Sequence, residues 1–170
     1  MCSGTVRVWP WQRRGAGVPT IGVVTRWFED YQAGSTWELG EVTPSTEEIV
    51  AFAARYDPQP FHVDERAAEG SIFGGLIASG WHTTAMMMRL IVDGYLSPES
   101  SLGSPGVDEL RWAAPVWPGV TYRLHAEVVE ARRSASKPDR GIVRTRFTFT
   151  DPDGATVFSA SAMNLVRTRP

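Results

Sequence analysis

An aspartate and a histidine stand close together in a stretch whose backbone is restricted by two prolines. Asp57 and His62 lie five positions apart in YDPQPFHVD, with Pro58 and Pro60 between them. Because proline fixes φ, little entropy is lost when the two side chains are held in one relative position. A converging carboxylate and imidazole can hold a water molecule and move its protons. The pair is therefore a candidate for acid–base chemistry, although Asp57 can also simply end a helix while His62 is a hydrogen-bonded core residue.

A glycine-rich stretch, FGGLIASGWHT, follows this pair and leads into a long apolar segment. Ser79 is predicted to be the N-cap of the helix that begins there. Free backbone N–H groups of Gly80 and Trp81 would then lie at the positive end of the helix, where they can stabilise negative charge on a carbonyl oxygen. The alternative is that these glycines only permit tight turns and close packing of the backbone. They are Gly74, Gly75 and Gly80.

The elements that position these residues can be predicted from the pattern of apolar residues. A short strand is predicted in STWELGEVT, and a helix after it, because Ser45 and Glu48 form a capping box. Apolar residues then recur at helical spacing, at Ile49, Phe52, Ala53 and Tyr56. We expect this helix to end at Asp57, since Pro58 disfavours further helical backbone.

A short helical turn and the glycine-rich loop are predicted next, followed by a central helix in SGWHTTAMMMRLIVDGYL. This segment is apolar around most of its circumference, which predicts a buried helix. Its run of three methionines, Met86 to Met88, is typical of core packing, but it can also shape an adaptable binding tunnel.

The second half of the chain has the alternation of β-strands. VDELRWAAPVWPG contains two prolines and is predicted to lie at an edge or bulge. VTYRLHAEVVEARR, IVRTRFTFT and ATVFSASAMNLVR alternate and are separated by the turn sequences SKPDRG and DPDG. The sequence therefore predicts an α+β domain in which an antiparallel sheet wraps around a long buried central helix.

Composition limits the classes of protein that remain. The chain has 170 residues, of which 42% are hydrophobic and 21% are charged, as expected for one ordinary folded domain. A formal net charge of −2 gives no general attraction to nucleic acid. A lone cysteine, Cys2, forms no internal disulfide, which favours a reducing, cytoplasmic location. No stretch is long and apolar enough to predict a membrane span.

The first 30 residues differ from the rest. Four arginines, Arg7, Arg13, Arg14 and Arg26, precede the first acidic residue, Glu29. We predict that residues 1–30 are a poorly defined N-terminal extension and that residues 31–170 form the domain. A loose tail is favoured here over an organelle-targeting or nucleotide-binding arm.

The run from Tyr56 to Thr83 resembles the signature of the MaoC-like acyl dehydratases, which include (R)-specific enoyl-CoA hydratases of the hot-dog fold. The family pattern is Asp-x-Asn-Pro-x-His, followed by an acidic residue, an alanine-rich turn and a glycine-rich approach to the central helix. Asp57, Pro60 and His62 match it, while Gln59 replaces Asn. Gln59 is one methylene longer, so its support of the loop can differ.

The resemblance implies a single hot-dog domain that adds water reversibly across the 2,3 double bond of a trans-2-enoyl thioester. Asp57 would take the proton of the water, His62 would orient the water, and the Gly80 N–H would hold the thioester oxygen. Ser79, Trp81 and Gly75 would bind substrate. The resemblance further implies an acyl-CoA or acyl-carrier-protein thioester as partner, no metal or other cofactor, and a homodimer or a higher assembly of dimers.

Two alternatives remain open. A hot-dog thioesterase would bind the same kind of substrate but attack its carbonyl carbon, and a non-catalytic hot-dog subunit would only bind acyl chains or a partner protein. A basic cluster near one predicted hairpin is a candidate contact for the phosphates of coenzyme A, or else a solvated turn: Arg132, Arg133, Lys137 and Arg140.

Overall fold

The computed structural model describes residues 24–170, and Cys2 with the first three arginines lies outside them. The described chain forms five strands and four α-helices, in the order β1 (Thr36–Val42), α1 (Thr46–Tyr56), α2 (Pro60–Val63), α3 (Glu65–Glu69), α4 (Gly80–Gly94), β2 (Gly106–Trp112), β3 (Tyr122–Arg133), β4 (Arg140–Thr150) and β5 (Thr156–Arg167). The predicted α+β class is confirmed.

The strands form one antiparallel sheet in the order β1-β3-β4-β5-β2. β2 is an edge strand, as its neighbouring prolines predicted. The strongly alternating strands β3 and β4 direct one row of side chains each into the core, and these rows are buried: Tyr122, Leu124, Ala126, Val128, Val143, Thr145, Phe147 and Phe149. The predicted alternation therefore fixes which face of the sheet meets the helices.

Helix α1 begins and ends where the sequence predicted. The backbone N–H of Glu48 donates to Ser45 Oγ at 3.2 Å, and the Ser45 N–H donates to the Glu48 carboxylate at 2.9 Å. At its other end the Asp57 N–H donates to the Ala53 carbonyl at 2.8 Å, after which Pro58 stops the helix. The helix thus delivers the Asp57 carboxylate to the loop before α2.

The connection from α1 to α4 contains two short helices rather than the single predicted turn. Pro60 occupies the first turn of α2, where its missing N–H is not needed. Asp64 separates the two helices and accepts a hydrogen bond from the Ala67 N–H at 3.0 Å as the N-cap of α3. This second cap explains why the helical backbone restarts.

Helix α4 packs against the sheet with one face only, so the expectation that it is buried on all sides is wrong for a single chain. His82, Thr83, Met87 and Ile91 form its buried face. Trp81, Met88 and Val92 are exposed on the opposite side, although Trp81 meets Trp112 of β2. Within the same residues no helix combines the length and the apolar content that a membrane span requires.

The segment Arg26–Asp30 packs onto the domain, although the sequence placed it in the N-terminal extension. Phe28 is 8% exposed and belongs to the core cluster. A Cβ added to Gly141 would lie 2.0 Å from the Phe28 ring, so only glycine on β4 permits this contact. Arg26 Nη1 donates to the Gly94 carbonyl at 2.6 Å, at the end of α4.

Removing the Phe28 ring is expected to cost about 3 kcal/mol of unfolding free energy, because large-to-small substitutions of buried aromatics leave a cavity. Urea denaturation of Phe28→Ala measures this cost. Ile72→Ala is the control, since Ile72 is 96% exposed and its truncation should change stability by less than about 0.5 kcal/mol. Equal stabilities of the two variants would show that the Phe28 contact does not stabilise the domain.

Candidate active site

His62 lies in α2 with its imidazole enclosed, and its side chain is 6% exposed. Nδ1 lies 2.8 Å from the carbonyl oxygen of Ile77, in the loop before α4. A carbonyl oxygen only accepts hydrogen bonds, so Nδ1 carries the hydrogen of this pair. In the neutral imidazole the second nitrogen, Nε2, is then an acceptor whose lone pair points away from Ile77.

The Asp57 carboxylate accepts a hydrogen bond at each oxygen. Ser79 Oγ donates to Oδ2 at 2.7 Å, and the Gln59 amide donates to Oδ1 at 2.8 Å. The Ser79 hydrogen bond is the largest cause of a lowered pKa at Asp57, and partial burial acts in the opposite direction. The Gln59 hydrogen bond and the electrostatic effect of a charged His62 lower the pKa of Asp57 further. Gln59 thus supports the carboxylate directly, despite its extra methylene.

Asp57 and His62 converge on one point. His62 Nε2 and Asp57 Oδ2 are 3.5 Å apart, which is longer than an ordinary N–H···O hydrogen bond. With the hydrogen on Nδ1 and the carboxylate ionised, both facing atoms are acceptors. A water molecule that contacts both can donate one hydrogen to each, and its oxygen lone pairs then point outward. The arrangement therefore suits the activation of a water as nucleophile.

The start of α4 lies next to this pair because Ser79 belongs to both. Its hydroxyl donates to Asp57 and accepts the backbone N–H of Trp81 at 3.2 Å. The expectation of two free N–H groups is therefore wrong for Trp81, whose N–H is used by the helix cap. The Gly80 N–H has no hydrogen-bond acceptor within residues 24–170. It remains the candidate donor to a carbonyl oxygen.

Trp112 on β2 covers Gly80, a contact that the sequence did not predict. Its indole Nε1 donates to the Gly80 carbonyl at 2.8 Å. A Cβ added to Gly80 would lie 2.7 Å from the indole ring, so glycine is required for this approach. Trp81, which is 58% exposed, meets the same indole edge to face at 5.5 Å between centroids. Trp112 thus positions the first residue of α4.

Gly75 lies outside this set of contacts. An added Cβ would lie 3.1 Å from the Trp117 ring, which shows that Gly75 permits close packing of its loop. Trp117 is half-buried there. Substrate contact by Gly75 stays a prediction.

The predicted basic cluster is largely neutralised by carboxylates. Arg132 contacts Glu130 at 2.9 Å, and Arg133 contacts Glu29 at 2.8 Å. Arg140 contacts Asp139 at 2.8 Å. These pairs support the alternative of a solvated surface. Elsewhere in the described chain, no group of three His, Cys, Asp or Glu side chains is arranged to hold a metal ion.

The lowered pKa of Asp57 predicts a pH-dependent contribution to stability. A carboxyl whose pKa is lower in the folded chain stabilises it above the unfolded pKa, about 3.9, and this stabilisation is lost as pH falls through the folded value. The unfolding free energy of the wild type relative to Asp57→Asn should therefore be larger at about pH 5 than at about pH 3. Urea titrations across this range measure it, and a difference that is independent of pH would contradict the Ser79 contact.

Comparison with known proteins agrees with the geometry. The MaoC like domain family matches residues 31–148. The crystal structure of the MaoC-like dehydratase from Rhodospirillum rubrum is 37% identical, superposes with a TM-score of 0.80 and covers 86% of this chain and 99% of its own. The (R)-hydratase PhaJ1 from Pseudomonas aeruginosa has the same fold, with a TM-score of 0.70, at 22% identity over 84% of this chain and 86% of its own.

A curated relative, the protein MaoC of Klebsiella aerogenes, is 30% identical over 131 residues. The match covers 73% of this chain but only 38% of that longer protein. The family match extends over most of the domain and includes Asp57, His62 and the start of α4. The chain therefore belongs to the MaoC-like dehydratase family and has its hot-dog fold.

Proposed function

We propose that this protein adds water reversibly to a trans-2-enoyl thioester to give a 3-hydroxyacyl thioester. The observation that carries the proposal is the pair of facing acceptors, Asp57 Oδ2 and His62 Nε2, 3.5 Å apart. A water beside the pair that donates to both atoms has both hydrogens occupied and a lone pair free for attack. The family membership of the chain supports hydratase or dehydratase chemistry in general.

In the proposed reaction the water oxygen forms a bond to C3 of the substrate, and the 2,3 double bond becomes an enolate. Asp57 accepts one proton of the water as the new bond forms. The hydrogen bond from Nδ1 to the Ile77 carbonyl keeps His62 Nε2 as the acceptor that orients the water. A proton returns from this pair to C2, so that the elements of one water molecule are added overall.

The enolate oxygen needs a donor, and Gly80 is the proposed one. Its N–H is at the first position of α4, where the helix dipole is positive. Ser79 joins the two halves of the site, because its hydroxyl contacts the base and caps the helix. We assign to Ser79, which is fully buried, the positioning of Asp57 relative to the Gly80 N–H.

The acyl carrier is proposed to be coenzyme A or acyl carrier protein. PhaJ1 shows that this fold occurs in an (R)-hydratase. The resemblance of the sequence motif supports an acyl thioester as substrate. The exposed Trp81 indole beside the start of α4 is a surface on which part of the carrier or of the thioester can pack.

A direct assay separates this proposal from its alternatives. Purified protein is mixed with a short trans-2-enoyl-CoA, and the loss of conjugated ultraviolet absorbance is followed beside a parallel reaction with a thiol reagent. Loss of absorbance without thiol supports hydration. Release of thiol would instead identify a thioesterase, and no reaction across chains of several lengths would favour a non-catalytic acyl-binding subunit.

We also propose that the protein is a homodimer joined through α4 and β2. The exposed apolar side chains of the chain concentrate there: Trp81, Met88, Val92, Val107 and Trp112. β2 is an edge strand with mostly exposed residues, and an unpaired edge favours association with a second copy.

Introducing two charges into this face should produce a monomer. Light scattering is expected to give twice the chain mass for the wild type and the chain mass for the Val92→Glu, Val107→Glu variant, since each charge would be desolvated at the interface. Val129→Glu is the matched control, because Val129 is exposed on β3, away from this face. A monomeric wild type, or a variant that stays dimeric, would contradict the proposed interface.

A further inference from the structure

A cavity lies away from Asp57 and His62. It has a volume of about 410 Å³ and lies between α4 and the core face of the sheet. Its open side is lined by Met88, Val92 and Val107, which belong to the proposed interface between two copies. Its inner wall is apolar, with Met87 and Ile91 from the helix and Phe147 and Ala162 from the sheet. None of the residues around it belongs to the acid–base site.

Four polar residues also line the cavity, and of these only Asn164 belongs to the sheet; the others are Ser97, Ser101 and Ser104. Asn164 is 7% exposed and follows Ala162 on the same face of β5, so its side chain points toward α4. Its amide nitrogen Nδ2 is buried and has no hydrogen-bond acceptor within the described part of the chain.

A neighbouring buried polar residue shows that the fold can satisfy such a group. Thr145 lies on the adjacent strand β4, opposite Ala162, and is also fully buried. Its hydroxyl pairs with the Tyr95 hydroxyl at 2.6 Å. α4 offers Asn164 no corresponding partner, because the residues that it contributes to the cavity are apolar: Met87, Met88, Ile91 and Val92. Buried donors without a partner are rare and destabilising, so an unpaired one next to a cavity points to a ligand that supplies the acceptor.

The cavity lies along α4, whose first residue, Gly80, is the proposed donor to the enolate oxygen. Met87 is seven residues after Gly80 in α4, about 10 Å along the helix axis. A thioester oxygen at the Gly80 N–H would leave the far end of a medium-length acyl chain within reach of this cavity.

We propose that the cavity receives the distal part of the acyl chain and that Asn164 donates a hydrogen bond to an oxygen carried there. The inference takes the identity of the acyl chain from the proposed function, but it does not require that the protein turn the thioester over. Asn164 is then a specificity-determining residue that favours a keto, hydroxyl or similar oxygenated acyl group over a plain hydrocarbon. The apolar wall accepts the carbon skeleton, and the amide selects the polar substituent.

Binding of saturated thioesters tests this without any catalysis. Octanoyl-CoA is compared by isothermal titration calorimetry with octanoyl-CoA thioesters that carry a carbonyl at carbon 5, 6 or 7. At least one keto thioester should bind the wild-type protein about tenfold more tightly than octanoyl-CoA, the effect of one satisfied hydrogen bond. In Asn164→Leu this preference should disappear or reverse, and the thermal stability of the unliganded protein should not decrease, because an unpaired buried amide is removed.

Ala162→Val is the matched control, since it narrows the same cavity without changing a hydrogen-bonding group. Ala162→Val should weaken the binding of keto thioesters and of octanoyl-CoA equally. A wild type that binds all chains alike, or an Asn164→Leu variant that keeps the preference, would overturn the inference, as would no binding of any thioester. Selective binding without hydration of the enoyl substrates would instead support the inference while contradicting the proposed reaction.

Discussion

Asp57→Asn is expected to lower kcat for hydration of an enoyl thioester by about 10²–10⁴-fold, the range over which a positioned acid–base group accelerates a reaction. The amide keeps the shape of the side chain but cannot take a proton from water. His62→Gln should lose a similar factor, because a glutamine amide cannot take up a proton as the imidazole Nε2 can. Both are measured by the decrease in enoyl absorbance at saturating substrate.

The two residues are further expected to act as a unit, since one water contacts both. The double variant should therefore be little slower than either single variant, rather than losing the product of the two factors. Asp64→Asn is the control, because Asp64 is a nearby carboxylate whose role as N-cap of α3 is served equally well by asparagine. Multiplicative losses, or an equal loss in Asp64→Asn, would show that Asp57 and His62 do not share one water.

Gly80→Ala is expected to lower kcat/KM by about 10²-fold, because a shift of about 1 Å in a positioned group has effects of this size. The added methyl group would lie 2.7 Å from the Trp112 indole, so either α4 or the indole must move. The Gly80 N–H would then be displaced from the oxygen that it is proposed to bind.

A double-mutant cycle separates this steric cause from a general loss of structure. In a Trp112→Ala background the space beside Gly80 is open, and the further change Gly80→Ala should then alter kcat/KM by less than about threefold. Trp112→Phe complements the cycle, since it keeps a ring over Gly80 but removes the indole donor to its carbonyl. If the effect of Gly80→Ala is the same with and without Trp112, the indole is not what restricts this position.

The sequence predicted those parts of the site that depend on local spacing. Asp57 and His62 lie on one short segment with Pro58 and Pro60, so their convergence follows from chain geometry. In the structure Asp57 Oδ2 and His62 Nε2 are 3.5 Å apart. The Ser79 cap was also predictable, because an N-cap is recognised from the residues that follow it. The alternation of β3 and β4 fixed the core face of the sheet for the same reason.

The contacts between distant segments were not predictable from local patterns. Ser79 reaches Asp57 across 22 positions, and Trp112 reaches Gly80 across 32. Both contacts depend on how β2 and the loop before α4 pack. A periodic pattern of apolar residues gives no information about that packing. The Ser79 contact also changes its expected role, since the hydroxyl holds the base as well as the helix N-terminus.

The exposure of α4 was missed because an apolar circumference does not say what covers it. Apolar residues on all sides of a helix predict that it is buried. The sheet buries one side of α4, but Met88 and Val92 on the other side are exposed in a single chain. The same pattern therefore fits a helix whose second face is buried by association. Likewise, the basic composition before Glu29 gave no sign that Phe28 enters the core.

The most direct test of the proposed chemistry is to follow the oxygen atom of the water. A short trans-2-enoyl-CoA is incubated with the protein in water enriched in ¹⁸O, and the products are identified by mass spectrometry, with Asp57→Asn in parallel. The proposed mechanism predicts a 3-hydroxyacyl thioester that carries ¹⁸O at C3, formed by the wild type and nearly absent in the variant. Label in a released carboxylate, or no label in any product, would contradict it.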